Sequence, residues 1–181
     1  MELIYKNSYL FYNNINSIEF LKNNLDFSTL LSDIDFRNII FFFNYSNFFK
    51  FRSISDLFGV DYKRYLQVDY YILSLDYLYR LLLKNSLKSN TTLSIDDIFY
   101  GSNWLERETW DMYGIFFKDS KDLRRILTDY GFDGFPMLKF FPLSGYLEFI
   151  YGNELKKVSS KKLELTQCYR IFNFGSGWTL N

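Results

Sequence analysis

The sequence predicts an α+β fold: a two-layer domain with a mixed or antiparallel sheet covered mainly on one face by helices, followed by an extended C-terminal arm. Three observations carry this prediction. Residues 66–72 and 79–83 alternate apolar and polar side chains with the period of a strand. Residues 33–45 and 104–113 read as helices, the second stopped by Gly114. Beyond about Thr128 the periodicity fades, and both prolines, Pro136 and Pro142, lie in that stretch with Gly131, Gly134 and Gly145.

Taken in order, residues 15–24 suggest a short helix with Ile18, Phe20 and Leu21 as its apolar stripe. Asp26 to Leu31 reads as a short strand. Ser32 or Asp33 is a suitable cap for a helix running to about Tyr45. Ile39, Ile40, Phe42 and Phe43 surround most of its axis, which predicts a buried helix. Phe48 to Leu57 alternates imperfectly and reads as a strand.

Leu66, Val68, Tyr70 and Ile72 alternate with Gln67, Asp69 and Tyr71, the pattern of a half-buried strand. Tyr79, Leu81 and Leu83 continue after a break at 74–77, which predicts a hairpin. Asn90 to Ser94 reads as a polar loop, and the chain turns helical from Ile95. Phe116 and Phe117 return as a strand. In the C-terminal region, 146–151 and 156–159 are placed to pair across Gly152-Asn153-Glu154. The division expected is a core over 1–127 and an arm over 128–181 that docks on a partner. The arm keeps Phe140, Phe141, Tyr169, Ile171, Phe172, Phe174 and Trp178, more aromatic side chains than a disordered tail carries. Such side chains are expected to be buried on another surface.

Composition excludes several function classes. The 181 residues hold 21 Lys plus Arg and 21 Asp plus Glu, so the formal net charge is zero and no polyanion partner is advertised. A single cysteine, Cys168, rules out an intrachain disulfide. With one Cys and no His, the chain alone cannot ligate an iron–sulfur cluster, and it lacks the ordinary ligands of zinc. Ser–His and Cys–His catalysis are excluded for the same reason. Gly175-Ser176-Gly177 is a lone G-x-G without a strand–helix context, and no Walker-type loop exists, so no nucleotide site is expected. Charged and polar residues interrupt every apolar run well before about 18 residues, so no membrane span is expected. The first 13 residues resemble neither a secretory nor an Arg-rich transit peptide.

Aromatic residues make up 22% of the chain, and Ala is absent. Phe, Tyr, Asn, Ile and Lys share AT-rich codons, so this bias points to a compact AT-rich genome such as an organelle's. It is not evidence for stacking on bases.

The most informative run is Trp104-Leu105-Glu106-Arg107-Glu108-Thr109-Trp110-Asp111-Met112-Tyr113-Gly114. On a helix, Trp104, Leu105 and Met112 share one face with Glu108 among them, while Arg107 and Asp111 stand at i, i+4. A carboxylate within an apolar stripe must be paired, protonated or placed at an interface. Arg124 and Arg125, in Asp122-Leu123-Arg124-Arg125-Ile126-Leu127, supply the expected partners. The expectation is a charge network locking this helix to the next segment. A hydrolase using Glu106 and Glu108 is the enzymatic alternative, and it has no visible catalytic partner. A single-stranded nucleic-acid binder using the aromatics is a third class, opposed by the neutral charge.

The string Glu106-Arg107-Glu108-x-x-Asp111-Met112-Tyr113-Gly114-Ile115-x-Phe117 resembles the signature of the 30-kilodalton subunit family of complex I, NADH:ubiquinone oxidoreductase. Mitochondrially encoded members are the ninth NADH dehydrogenase subunit of many protists and plants. The resemblance continues through residues 122–132, Gly134, Pro136, Lys139 and Phe141-Pro142-Leu143-Ser144-Gly145-Tyr146. It ends on Thr166-Gln167, Arg170, Phe172, Phe174, Ser176 and Trp178. It covers the last two-thirds of the chain.

The chain departs from the family where Gly-His-Pro is usual and Asp119-Ser120-Lys121 stands. A second family His falls on Phe135, and a usual Arg and Asp fall on Leu138 and Phe140. In the tail, Asn173 and Gly177 replace a usual Asp and Pro. The missing histidines favour packing over proton relay at these positions. The resemblance implies a cofactor-free scaffold in the peripheral arm on the matrix side of the mitochondrial inner membrane. Its arm would wrap the large 49-kilodalton quinone-site subunit beside the iron–sulfur subunits. Signature and interface residues are then Glu106, Arg107, Glu108, Asp111, Arg124, Arg125, Tyr146, Arg170, Phe172 and Trp178, with no catalytic, cofactor or metal residue. The equivalent subunit of a bacterial or plastid NDH-1 type complex is the alternative. Composition and the Thr128-Asp129-Tyr130-Gly131 wording favour the mitochondrial branch.

Overall fold

The computed structural model describes residues 19–20, 26–29, 33–172 and 175, with side chains from Phe36 onward. The chain divides into two compact units, Met1–Phe141 and Pro142–Asn181.

The first unit is built on a five-stranded mixed sheet in the order β1-β2-β5-β4-β3. The strands are β1 (Glu19–Phe20), β2 (Asp26–Thr29), β3 (Ser53–Asp61), β4 (Leu66–Ser74) and β5 (Tyr79–Ser86). The β2–β5 pair is parallel and the others are antiparallel. The two-residue alternation of β4 explains its central place. Val68 stands between Gly59 and Asn85, Tyr70 between Leu57 and Leu83, and Ile72 between Ile54 and Leu81. Their shared face packs on Phe36 and Ile40 of helix α1 (Asp33–Tyr45) and on Ile95, Phe99, Ile115 and Phe117. Each fully buried large aliphatic contributes about 1.5–3 kcal/mol through removal from water. A second small sheet pairs β6 (Thr91–Leu93) with β7 (Phe116–Lys118) in parallel. Helix α2 (Ser102–Tyr113) lies between them in sequence and packs against β3. That approach is close: a Cβ on Gly59 would fall 2.7 Å from the Tyr113 ring.

Several expectations change. Within the expected helix over 15–24, Glu19–Phe20 form strand β1, paired with Phe27 and Ser28, and the other positions lie outside the described residues. Three apolar side chains do not fix a period over so short a run, and the open edge of β2 offers backbone partners. Helix α1 begins and ends as predicted but is not buried all round. Phe36, Ile39 and Ile40 are buried, while Phe41 and Tyr45 are exposed. The strand expected over 48–57 starts only at Ser53. Residues 47–49 form a turn in which the Phe48 amide donates to Ser46 Oγ at 3.3 Å, and Lys50 follows at φ 50°.

Strand β4 is also more deeply buried than its alternation suggests. Gln67 Nε2 donates to Asp69 Oδ1 at 2.6 Å, and Ser86 Oγ donates to Gln67 Oε1 at 3.3 Å. A neighbour on the same strand and one on the flanking strand β5 thus satisfy Gln67 away from water. The polar loop expected at 90–94 contains strand β6, because backbone pairing to β7 does not need apolar side chains.

Residues 128–141 belong to the first unit, so the expected boundary at 127/128 moves to 141/142. The Met137 amide donates to Met112 O at 3.0 Å and the Lys139 amide to Asp61 Oδ2 at 2.8 Å.

The second unit contains the antiparallel hairpin of β8 (Leu147–Gly152) and β9 (Lys157–Lys162), the pairing the sequence predicts. The Leu163 amide extends it by donating to Tyr146 O at 2.9 Å. Leu147, Phe149, Tyr151 and Val158 are all exposed on this hairpin.

Candidate functional site

Helix α2 carries the signature charges, and the structure sorts them by depth. Glu106 and Asp111 are both 0% exposed, Arg107 is buried, and Glu108 is exposed. Trp104 is 63% exposed. Of the face expected to pack inward, Trp104 and Glu108 point outward while Leu105 packs half-buried against the core, and a polar face built on Ser102, Glu106, Thr109 and Asp111 is buried. The reason lies in the neighbouring backbone. Two adjoining segments bring unpaired amides against α2, and carboxylates meet that demand as strong, charge-assisted acceptors.

Asp111 is the hub of the first segment. Its Oδ2 accepts the amides of Ile126, Leu127 and Thr128 at 3.2, 2.7 and 2.9 Å. Its Oδ1 accepts Thr128 Oγ1 at 2.7 Å and Arg125 Nε at 2.6 Å. Burial works to raise the Asp111 pKa, but hydrogen bonds from Thr128, Leu127 and Arg125 outweigh it and bring the group down to about 2. Arg125 reaches onward to the carbonyls of Phe132 (2.7 Å), Asp111 (3.1 Å) and Gly134. Its guanidinium lies 5.6 Å from the Phe132 ring centre and 5.1 Å from that of Phe135. Phe135 also packs on Trp110 at 5.4 Å. The residue standing where the family usually has His is thus one wall of this clasp.

Gly114 makes the approach possible. It sits at φ 70° as the cap of α2, its amide donating to Trp110 O, and a Cβ there would fall 2.6 Å from the Phe135 ring. Arg107 completes the fastening: its Nε donates to Arg124 O at 2.9 Å while its guanidinium lies 5.0 Å from the Trp104 ring centre.

Glu106 serves the second segment. Its oxygens accept Ser94 Oγ at 2.7 Å, the Ile95 amide at 2.8 Å and Ser102 Oγ at 3.4 Å. Burial is the largest influence on this carboxyl and, with the charge of Asp96, pushes it up to about 7 against those hydrogen bonds.

The lock between α2 and the following segment that the sequence suggested is present, with different members. Arg107 bonds a carbonyl instead of pairing with Asp111. Asp111, not Glu108, takes Arg125, and Arg124 pairs with Asp122 at 2.8 Å on the surface. Glu106 is buried and Glu108 exposed, so these two carboxylates do not face one space as a glycosidase-type mechanism requires. Among the described residues, no group of three or more His, Cys, Asp or Glu is placed to hold a metal ion. Tyr146, Arg170 and Phe172 lie exposed in the second unit, and Trp178 lies outside the described residues.

Sequence reasoning missed Asp61, Ser94 and Thr128, whereas Phe135 packs as expected where the family has His. Only Asp61 left a local sign. Its Oδ1 accepts the Lys63 amide two residues on at 2.6 Å, the turn that Asp favours.

Fold and clasp together define an α+β domain whose buried signature charges hold its own backbone. The comparisons specify the class. Residues 18–147 match the family described as "Respiratory-chain NADH dehydrogenase, 30 Kd subunit". NADH-ubiquinone oxidoreductase subunit 9 of Acanthamoeba castellanii is 45% identical over 132 residues, covering 71% of this chain and 67% of that one. NADH dehydrogenase [ubiquinone] iron-sulfur protein 3 of Beta trigyna is 46% identical over 133 residues, 71% of this chain and 69% of that one. An NADH-quinone oxidoreductase subunit of the bacterium Paramagnetospirillum magneticum is 43% identical over 132 residues, 71% of this chain and 66% of that one, just under two-thirds of its length. The fold is shared with the trypsin-resistant fragment (1-134) of Nqo5, at TM-score 0.52 and 20% identity over 64% of this chain and 98% of that one. The chain belongs to the 30-kilodalton subunit family of respiratory-chain NADH dehydrogenase, complex I. No helix among the described residues is long and apolar enough to cross a membrane.

Proposed function

We propose that this chain is a cofactor-free scaffold of the peripheral arm of mitochondrial complex I, on the matrix side, and that it docks on the large quinone-site subunit beside the iron–sulfur subunits. The observation that carries this reading is the contrast in how the chain uses its polar and apolar side chains. The buried signature charges Glu106, Arg107 and Asp111, with Arg125, are engaged by amides, hydroxyls and carbonyls of their own unit. Large apolar side chains stand exposed from Leu127 to Phe172, including Tyr130, Phe140, Phe149 and Tyr151. Exposed large apolar side chains of this kind, present on each unit, fit an interface with a neighbouring protein. Electrons would pass through the neighbours, and this chain would hold them in place.

Native electrophoresis with NADH-dehydrogenase staining and mass spectrometry tests the assignment. The chain should migrate in a very large NADH-oxidising assembly and cross-link to the quinone-site subunit. Migration as a free protein, or flavin or iron–sulfur absorbance in the refolded chain, would sink it.

A further inference from the structure

The buried carboxyl of Glu106 has no role in the clasp around Asp111. Its three partners, the Ser94 hydroxyl, the Ile95 amide and the Ser102 hydroxyl, are all uncharged. No Lys or Arg forms an ion pair with it among the described residues. Four cations of the adjoining elements are engaged elsewhere, and Lys118 of β7 is exposed. Arg107 of α2 donates to Arg124 O, and Arg37 of α1 pairs with Asp97 at 2.5 Å. Lys121 lies over the Tyr100 ring at 5.7 Å, and Arg125 holds Asp111. The charge that does act on Glu106 is negative: Asp96, itself 4% exposed. A fully buried carboxylate with an acidic neighbour and no counter-ion is expensive to ionise.

The neighbourhood is nevertheless suited to the neutral form. Hydroxyls accept as well as donate, and two of the three partners are hydroxyls. Ser94 Oγ already accepts the Asp96 amide at 3.2 Å and has a second lone pair. A protonated Glu106 can donate to it, while Oε1 keeps the Ile95 amide. Both protonation states therefore keep the backbone contact, and rotation of the hydroxyls accommodates the change.

We propose that Glu106 is a proton-binding site, and that the bound proton tightens the joint between α2 and the Ser94–Asp96 segment. Loading places the proton on a Glu106 oxygen and removes the repulsion from Asp96. Unloading returns it to solvent and leaves the buried charge held by three neutral donors alone. The site goes beyond the scaffold reading and does not depend on it.

Infrared titration of the full chain reads the carboxyl directly. The expected result is a protonated-carboxyl band that persists above the ordinary carboxylate range, fades with a midpoint near pH 7 and is absent in Glu106→Gln. Two neighbours set its position in opposite directions. Asp96→Asn removes the repelling charge and lowers the midpoint, whereas Ser102→Ala removes a donor to the carboxylate and raises it. If Glu106→Gln does not fold, these two opposed shifts decide the matter. No band above the ordinary range, a band that survives in Glu106→Gln, or a midpoint that neither neighbour moves would overturn the proposal.

Discussion

The α2 clasp and the β8–β9 hairpin satisfy their polar and apolar groups in opposite ways. In the clasp, carboxylates and guanidinium meet backbone groups of the same unit, and the rings of Phe132 and Phe135 close over Arg125. In the hairpin, the ladder from Leu147–Lys162 to Gly152–Lys157 is complete, yet Leu147, Phe149, Tyr151 and Val158 are exposed. A two-stranded hairpin without a covered face is marginal in water. The difference teaches that the first unit carries its own stability, whereas the second presents surface for something else. Substitutions in the clasp should register as loss of fold, and those in the hairpin as loss of assembly.

The largest effect is expected at Asp111. Replacement by Ala strips the amides of residues 126–128 of their acceptor and leaves Arg125 without its counter-ion. Breaking a buried pair in this way costs about 3–5 kcal/mol. Chemical denaturation of the full chain measures it. A loss below about 1 kcal/mol would mean that the clasp is not what fastens residues 125–134.

Next comes the pH dependence set by Glu106. The unfolded chain releases this proton near 4.5 and the folded chain near 7. Between those values the folded state holds the extra proton, so stability falls as pH rises. The slope is about 1.4 kcal/mol per pH unit, roughly 3 kcal/mol across the window, and the loss is complete above about 7. Glu106→Gln cannot titrate and should abolish this slope. Denaturation midpoints of both proteins from pH 5 to 8 give the comparison, and parallel curves would contradict it.

A smaller loss is expected at Gly59, where an added methyl meets the Tyr113 ring at 2.7 Å. Gly59→Ala should cost roughly 1–3 kcal/mol through overpacking. An unchanged melting temperature would show that α2 can lift from β3 without penalty.

How much of this was legible in the sequence depended on which link was being read. Period-2 alternation placed β4 and β5, because side chains alone carry that signal. Gly114 marked the end of α2, because only its left-handed backbone permits the turn. Strand β6 was hidden, since Thr91-Thr92-Leu93 pairs through its backbone and its side chains read as loop. The clasp was half legible. The charges of α2 and Arg125 announced a network, but its acceptors and donors are largely main-chain groups, which leave no letter in a sequence. The inward turn of Glu106 was invisible for the same reason, because apolar patterning places carboxylates outside by default. Glu108, placed in the core by that patterning, is exposed. Glu108→Leu should accordingly move stability by less than about 0.5 kcal/mol, and a loss of several kcal/mol in the same denaturation assay would restore it to a buried pair.

The smallest change in fold, and the sharpest test of the contrast, is expected from the double replacement Phe149→Ser with Tyr151→Ser. Both side chains are exposed and stand on the same face of β8, two residues apart. Their removal takes away no interior packing, so the denaturation curve of the first unit should move by less than about 0.5 kcal/mol. Their value lies in a contact made only when a partner covers the hairpin, where each buried aromatic contributes about 1.5–3 kcal/mol before the cost of ordering. Recovery of the chain in the assembled NADH-oxidising complex should therefore drop several-fold while the fold persists. Two outcomes would break the contrast. A cooperative loss of stability in the isolated chain would make the hairpin part of the first unit's core. Full recovery in the complex at high salt and in mild detergent would leave its exposed face without a partner to explain it.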